Sequence, residues 1–351
     1  MRLWLDKIAS ATGNVPLKQT VRVTPEIIAQ EGYVIAGRIH GVKSVYNQLE
    51  NTHGRLVSLH EGDVIAGVLG QRNALQGYAG YVPDAIKVGD TLQLLNMGGV
   101  IGTCTSMNPD VGPPFDVEVL GAVQVFPEFE QRTGVPAHIK MNAIGNVPET
   151  QSIAPVVYIV GTCMNSGKTA AACRLIREFA KAGKSVGACK LTGVSLRRDA
   201  LKMGDYGAKA TVTFTDAGIP ATTAENAVPV ARNLLRELSR QGAEMIVAEL
   251  GDGLLGEYGV AEILSDPVLK QAGGAYVLCA NDPVGAWGAQ QLMRNRFDLP
   301  ISVITGPTTD NAVGTEALRK RLEVAAINAR THSRELGQHL LQHLTPQEAG
   351  A

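Results

Sequence analysis

Residues 156–169 read VVYIVGTCMNSGKT, an apolar run that leads into a loop of small residues and ends in a lysine and a threonine. Because Val156–Val160 is apolar on both faces, it predicts a buried strand of a parallel sheet. Downstream, apolar side chains recur on one face of a helix predicted from Lys168 to the stop signal at Gly183. The stretch therefore predicts a strand, a tight loop and a helix in direct succession.

The loop between this strand and this helix has the composition of a phosphate-binding P-loop. Glycines let backbone N–H groups approach phosphate oxygens, and the N-terminus of the helix favours their charge. The lysine reaches the β- and γ-phosphates and the next hydroxyl binds Mg²⁺. The residues predicted to bind the nucleotide here are Gly161, Thr162, Asn165, Ser166, Gly167, Lys168 and Thr169. In the usual spacing the first glycine would fall at position 162, but here it stands one residue earlier. The alternative is a Gly/Ser turn with a chance lysine.

After Pro155 the chain alternates apolar strands with amphipathic helices. The further predicted strands are Val186–Cys189, Met245–Ala248, Ala275–Cys279 and Ile301–Ile304, with a helix around Val230–Arg240. This alternation predicts an α/β fold, a parallel P-loop sheet flanked by helices. The segment Thr315–Leu344 is predicted as one helix, interrupted only at Gly337.

Residues 1–150 have a different pattern, with short β-like runs between Gly/Pro turns. The predicted strands include Tyr33–Ala36, Asp63–Leu69, Thr91–Leu95 and Val100–Cys104. Their close spacing predicts a β-rich barrel or sandwich domain with few helices. We therefore expect two domains, residues 1–150 of unknown role and residues 151–351 with the P-loop, joined near Pro148–Ser152.

Composition excludes several classes of protein. The 32 Lys and Arg residues nearly balance the 33 Asp and Glu residues, so we expect no nucleic-acid partner. No apolar run is long enough to cross a membrane, and Met1–Asp6 does not begin a signal peptide, so we expect a cytoplasmic protein. Five scattered cysteines are typical of reduced thiols. The 39 glycines among 351 residues exceed the usual ~7% and are concentrated in turns and loops.

The metal candidates are Thr169, Asp199 and Glu249. Mg²⁺ prefers oxygen ligands and keeps several waters, so one hydroxyl and one or two carboxylates suffice. Glu249 ends an apolar strand, where open α/β sheets place their ligands; its alternative is a structural carboxylate. For Asp199 the alternatives are the nearby Asp205 or a solvated turn.

Lys190 ends the second strand of this half. A cation there would stabilise charge on a transferred phosphoryl group, and with Lys168 it is the predicted catalytic pair. Its alternative is an exposed strand-end lysine.

The P-loop resembles two known families. Gly161-Thr162 followed by four residues and Gly-Lys-Thr resembles the dethiobiotin synthetase class, and Asn165–Thr169 is similar to the molybdopterin-guanine dinucleotide biosynthesis protein B family. Cys189–Gly193 is similar to a stretch of dethiobiotin synthetase whose lysine lies over the transferred phosphate. Arg198–Leu201 is similar to its Asp-Ala-Leu, which supplies a magnesium ligand, and Ala248–Gly253 is similar to its Glu-Gly-Ala-Gly-Gly. The resemblance covers about residues 155–310 and implies a homodimer.

Two further loops complete the predicted site. Thr305–Asn311 follows the last strand, where related folds contact the base and ribose, so Pro307 and Asn311 are nucleotide candidates, as are Asn281 and Asp282. The glycine-rich loop Gly251–Gly259 either faces a small substrate or is merely flexible.

These patterns favour an enzyme that uses ATP and Mg²⁺, a ligase or phosphotransferase, acting on a small-molecule carboxylate, carbamate or hydroxyl acceptor. The alternative is a regulatory or cofactor-maturation nucleotidase that acts with a protein partner. A third interpretation makes the β-rich half a binding module beside a vestigial P-loop. GTP is disfavoured because the sequence lacks the Asn/Thr-Lys-x-Asp pattern that reads guanine.

Overall fold

The computed structural model describes residues 1–127 and 133–344, and the chain forms two compact units. The first unit consists of Met1–Gly145 together with two later segments, Val194–Arg198 and Phe214–Thr222. The second consists of Asn146–Gly193, Asp199–Thr213 and the chain from Thr223. Two short loops from the P-loop half of the sequence therefore belong to the β-rich unit.

The first unit is built from short strands and two turns of 3-10 helix, Ser10–Thr12 and Pro109–Val111. Its strands are β1 (Arg2–Trp4), β2 (Lys7–Ile8), β3 (Thr20–Thr24), β4 (Val34–His40), β5 (Gln48–Glu50), β6 (Leu56–Ser58), β7 (Val64–Leu69), β8 (Arg72–Asn73), β9 (Tyr78–Tyr81), β10 (Thr91–Leu94), β11 (Val100–Met107), β12 (Asp116–Val125) and β13 (Val135–Pro136).

Five of these strands close into a ring. β12 pairs with β4, β4 with β7, β7 with β11, β11 with β10, and β10 again with β12. Apolar side chains such as Ile35, Ile65 and Ile101 are fully buried in one cluster. The predicted β-rich fold is confirmed, and of its two alternatives the structure has the barrel.

The rest of the chain supplies a parallel sheet and its helices. The strands are β14 (Val156–Gly161), β15 (Val186–Thr192), β16 (Ala210–Thr213), β17 (Met245–Leu250), β18 (Gly273–Cys279) and β19 (Val303–Thr305). The helices are α1 (Lys168–Lys181), α2 (Arg198–Asp205), α3 (Ala227–Arg240), α4 (Val260–Ser265), α5 (Pro267–Ala272), α6 (Pro283–Phe297), α7 (Ala312–Leu322) and α8 (Ser333–Leu344). The strand order is β16-β15-β17-β14-β18-β19, and every pairing is parallel.

The predicted α/β fold of this half is confirmed. Leu175, Ile176 and Phe179 of α1 are fully buried against the sheet, and each such side chain contributes about 1.5–3 kcal/mol of hydrophobic stabilisation. One prediction is wrong: Thr315–Leu344 is two helices rather than one. Glu323 adopts a left-handed conformation (φ 53°) that ends α7, and the chain then pairs with the edge strand through Ala326 before α8 begins. The predicted break at Gly337 is absent, since α8 runs through it.

This topology places the carboxyl ends of β14, β15 and β17 side by side. In the sheet register, Glu249 of β17 is opposite Ile159 of β14 on one side and Lys190 of β15 on the other. The loops that leave these three strands therefore start at one edge of the sheet. Within the described residues, the structure contains no helix with the length and apolar character needed to cross a bilayer.

Candidate functional site

The P-loop connects β14 to α1. Gly167 has φ +93° and Asn165 φ +61°, so the loop turns through the left-handed region before the helix starts. A Cβ on Gly161 would lie 2.5 Å from the Ser166 hydroxyl oxygen and 2.9 Å from Cδ of Lys168. A larger residue at position 161 would therefore crowd the Lys168 stem where it passes the strand end.

Lys168 lies over the loop and is only 7% exposed. Its ammonium donates to the carbonyl oxygens of Cys163 (2.8 Å) and Asp252 (2.5 Å). A buried ammonium needs such acceptors because it has lost water. The structure thus places the predicted catalytic lysine at the mouth of the loop, held by backbone oxygens rather than by a carboxylate.

Thr169 and Glu249 meet beside the loop. The Thr169 hydroxyl donates to Glu249 Oε1 at 3.1 Å. Glu249 is 2% exposed, and its other oxygen, Oε2, is buried with no hydrogen-bond partner among the residues that the structure describes. Burial raises the pKa of the Glu249 carboxyl, an effect that the nearby charge of Lys190 opposes.

Lys190 stands between two carboxylates. Its ammonium forms an ion pair with Asp199 and lies 4.0 Å from Glu249 Oε1. Asp199 is therefore joined to Glu249 through Lys190, which lies beside both carboxylates. The alternative acid, Asp205, is exposed at the far end of α2. In the described part of the chain, no three His, Cys, Asp or Glu side chains gather as a metal site.

The glycine-rich loop after β17 packs on the P-loop. A Cβ on Gly253 would lie 2.8 Å from the Thr162 carbonyl oxygen, and the Leu254 N–H donates to the Gly161 carbonyl at 3.0 Å. With the Asp252 carbonyl on Lys168, this loop supports the P-loop from one side. Sequence reasoning missed this backbone role, and its only signal was the glycine spacing at 251 and 253.

The loop after β19 reaches the P-loop from the other side. Gly306 Cα and Pro307 Cδ lie 3.5 and 3.7 Å from the position that a Cβ on Gly167 would occupy. Asn281, after β18, donates its side-chain amide to Cys163 Sγ at 3.1 Å. Pro307 and Asn281 therefore lie against the P-loop.

Two other nucleotide candidates serve as helix caps. The side-chain oxygen of Asn311 accepts from the Gly314 N–H at 2.9 Å at the start of α7. The Asp282 carboxylate accepts from Val284 and Gly285 at the start of α6. A capping bond is worth about 1 kcal/mol to a helix, so these side chains have a structural role whether or not a nucleotide binds.

The sequence matches no protein-family model and no curated protein. Solved structures with a similar arrangement include the signal recognition particle receptor FtsY from Elizabethkingia anophelis in complex with GDP, 15% identical, covering 60% of this chain and 69% of that one at a TM-score of 0.39. A DUF1611 family protein from Anabaena variabilis is 11% identical, and the match covers 60% of this chain and 65% of that one at a TM-score of 0.41. The 54 kDa signal recognition particle protein from Aeropyrum pernix, also in complex with GDP, is 17% identical. That match covers 58% of this chain and 52% of that one at a TM-score of 0.36. These likenesses are distant.

Proposed function

We propose that the P-loop unit is an enzyme that binds ATP with Mg²⁺ and transfers or uses its γ-phosphoryl group on a small-molecule acceptor. The observation that carries the proposal is the meeting of Lys168, Thr169, Lys190 and Glu249 at one edge of the sheet. The residues come from three strand ends, so only the folded sheet brings them together. The resemblance to dethiobiotin synthetase supports a carboxylate, carbamate or hydroxyl as the acceptor.

The two lysines have separate roles in this proposal. Phosphoryl transfer needs positioning and charge stabilisation more than covalent chemistry from the protein. Lys168 binds the β- and γ-phosphates from the loop, and Lys190 stabilises charge on the oxygens of the transferred group. An acceptor oxygen attacks the γ-phosphorus, the bond to the β,γ-bridging oxygen breaks, and ADP carries away the electron pair.

The residues present fit a hard divalent cation. Thr169 and Glu249 offer oxygen ligands, and a buried carboxylate oxygen without a donor has an unmet need for a positive charge. Mg²⁺ bound there would neutralise part of the phosphate charge. Asp199 is the third predicted ligand and holds Lys190 at the rim of this pair.

A fluorescent ATP analogue tests this proposal directly. We expect saturable binding that Mg²⁺ strengthens and that ATP competes better than GTP, followed by ADP formation that a metabolite extract accelerates. A protein that binds neither nucleotide would overturn the proposed function. Mass spectrometry of the extract then identifies the acceptor by its added phosphate or its product.

Cys163 supplies a test that needs no mutation. Cys163 and Cys104 are partly exposed, whereas Cys173, Cys189 and Cys279 are buried. Burial raises the pKa of Cys104, and it raises the pKa of Cys173 to about 11 and that of Cys279 to about 12. We expect iodoacetamide at pH 8 to alkylate the first two thiols and to spare the buried ones. Mg²⁺ and ATP should slow alkylation of Cys163 and leave Cys104 unchanged. Equal rates with and without nucleotide would contradict a ligand on this loop.

Exposed apolar side chains favour a second candidate, a nucleotidase that acts with a protein partner. Leu255 (68%), Val284 (76%) and Trp287 (55%) are exposed, and Gly285 of the same helix lies close to Thr162 of the P-loop. Under this alternative, a dialysed extract without metabolites accelerates hydrolysis. Trp287→Ser would remove the acceleration and keep the basal rate.

A further inference from the structure

Helix α3 carries three arginines on one face. Arg232, Arg236 and Arg240 are spaced at i, i+4 and i+8, so they form one stripe along the helix. The guanidinium of Arg232 forms an ion pair with Asp266, and that of Arg240 forms one with Glu237. Within the part of the chain that the structure describes, the side chain of Arg236 has neither an ion pair nor a hydrogen bond. The middle of the stripe therefore carries a positive charge that no carboxylate balances.

The Arg236 side chain is buried although it faces away from the sheet. Leu238 packs on β15, with its Cβ 3.3 Å from the position that a Cβ on Gly187 would occupy, and Arg236 lies about 200° around the helix from Leu238. Even so, only 8% of Arg236 is exposed, and its Nε is buried with no hydrogen-bond partner among the described residues. A buried charge is unfavourable unless an opposite charge or a hydrogen-bond acceptor replaces water.

The segment 147–154 crosses this outer face of α3. Its first N–H donates to the side-chain oxygen of Asn233 at 2.7 Å, and its last N–H donates to the hydroxyl of Ser239 at 2.9 Å. These two acceptors lie three residues before and three residues after Arg236, so the segment passes the helix at the level of Arg236. Both the segment and α3 belong to the second unit. Arg236 is therefore enclosed by elements of one compact unit.

We propose that Arg236 is the centre of a binding site for a small oxyanion, a carboxylate or a phosphate group, beside the segment 147–154. A guanidinium presents its N–H donors as a planar fork that fits two oxygens of such a group, and it stays charged at physiological pH. Glu149, the acidic residue of the segment, is exposed and forms no ion pair with Arg236 in the described chain. Asp266 and Glu237 are paired with the neighbouring arginines, so the charge of Arg236 is left for an external anion. The site does not depend on the proposed nucleotide chemistry.

Hydrogen–deuterium exchange of the segment 147–154, read by mass spectrometry, tests the site locally. Inorganic phosphate and acetate are titrated separately, each replacing chloride at constant ionic strength. An anion bound between Arg236 and the segment should slow exchange of the segment about tenfold at about ten times its half-saturating concentration. Slowing by one of the two ions shows which group fits the site, whereas exchange that neither ion changes overturns the proposal. Phosphate that binds to the P-loop is read separately, on the peptide that contains residues 161–169.

Arg236→Met removes the charge and keeps an unbranched apolar side chain. The slowing of exchange by the anion should disappear in Arg236→Met. It should remain in Arg240→Met, the matched control, which removes the 59% exposed arginine one turn later on the same face. An equal loss in both variants would show that the anion responds to the summed charge of the stripe, and the proposed site would then be wrong.

The melting temperature without an oxyanion gives a second, independent result. In Tris chloride, Arg236→Met should melt at or above the temperature of the wild type, because the unbalanced buried cation is gone. On adding the anion, the melting temperature of the wild type should rise and that of Arg236→Met should stay lower than the new wild-type value. A variant that melts below the wild type in Tris chloride would show that the protein itself stabilises the guanidinium, which contradicts a vacant anion site.

Discussion

Lys168→Ala is expected to lower ATP turnover by about two orders of magnitude or more, the usual cost of removing one preorganised charge from a transition state. The ammonium is buried at the mouth of the loop and held by the carbonyls of Cys163 and Asp252. Its stem passes Gly161 in a space that a Cβ on that residue would fill. Steady-state ADP release, measured well below the melting temperature of the variant, gives the ratio of variant to wild-type turnover.

Lys181→Ala is the matched control. Lys181 ends the same helix, is 58% exposed and pairs with Glu178 three residues before it, so we expect wild-type turnover. Exposed pairs of this kind are worth less than about 1 kcal/mol. Lys168→Ala that keeps more than about a tenth of wild-type turnover would show that the loop does not act on phosphate.

The P-loop could be predicted from the sequence because its determinants are local. Strand, loop and helix lie within Val156–Lys181, and the apolar face of α1 follows from a period of 3.6 residues. The position of Gly161 could be read from the sequence, but its close contact with the Lys168 side chain could not, because only the folded loop defines the path of that side chain.

Contacts between distant residues could not be predicted in the same way. The pairing of Lys190 with Asp199 depends on the register of β15 and on where α2 starts, and a sequence defines neither. The Asp252 carbonyl on Lys168 is a backbone group, so side-chain patterns carry no signal for it. Ring closure likewise depends on the pairing of β10 with β12, two strands that β11 separates in the sequence.

The long C-terminal helix was predicted wrongly for a related reason. Residues between α7 and α8 carry no Pro and no Gly, so no local breaker marks the end of α7. The segment leaves the helix because Ala326 bridges to Ile304 at the edge of the sheet. A tertiary contact here overrides local helix propensity.

Glu249→Gln is expected to lower Mg²⁺-dependent turnover by about two to three orders of magnitude. Glutamine keeps the shape of the side chain and can still accept from Thr169, but it offers no charge to a cation. Affinity for the ATP analogue in EDTA should change little, whereas the gain on adding Mg²⁺ should disappear. A variant with normal Mg²⁺ activation would show that Glu249 is a structural carboxylate, the alternative that its sequence position left open.

Glu249→Gln should also raise the melting temperature in EDTA. The direction of this change follows from the pH dependence of the folding free energy. Burial raises the pKa of Glu249 above its usual 4.5, so folding disfavours the ionised form. The cost of the ionised Glu249 to the free energy of folding is absent below about pH 4.5. It grows with pH until the pH passes the raised pKa of the folded state. Glutamine removes this cost, so the melting temperature of Glu249→Gln should exceed that of the wild type increasingly as pH rises.

Glu237→Gln is the control, because its melting temperature should shift in the opposite direction. Hydrogen bonds from Arg240 lower the pKa of Glu237, so its ionised form stabilises the fold above about pH 4.5 and loses that effect as pH falls through the lowered pKa. Its glutamine variant should melt below the wild type at pH 7 and approach it in acid. Opposite shifts for two buried glutamates of one unit would show that Glu249 is held at a cost to stability, as a carboxylate kept for a bound cation should be.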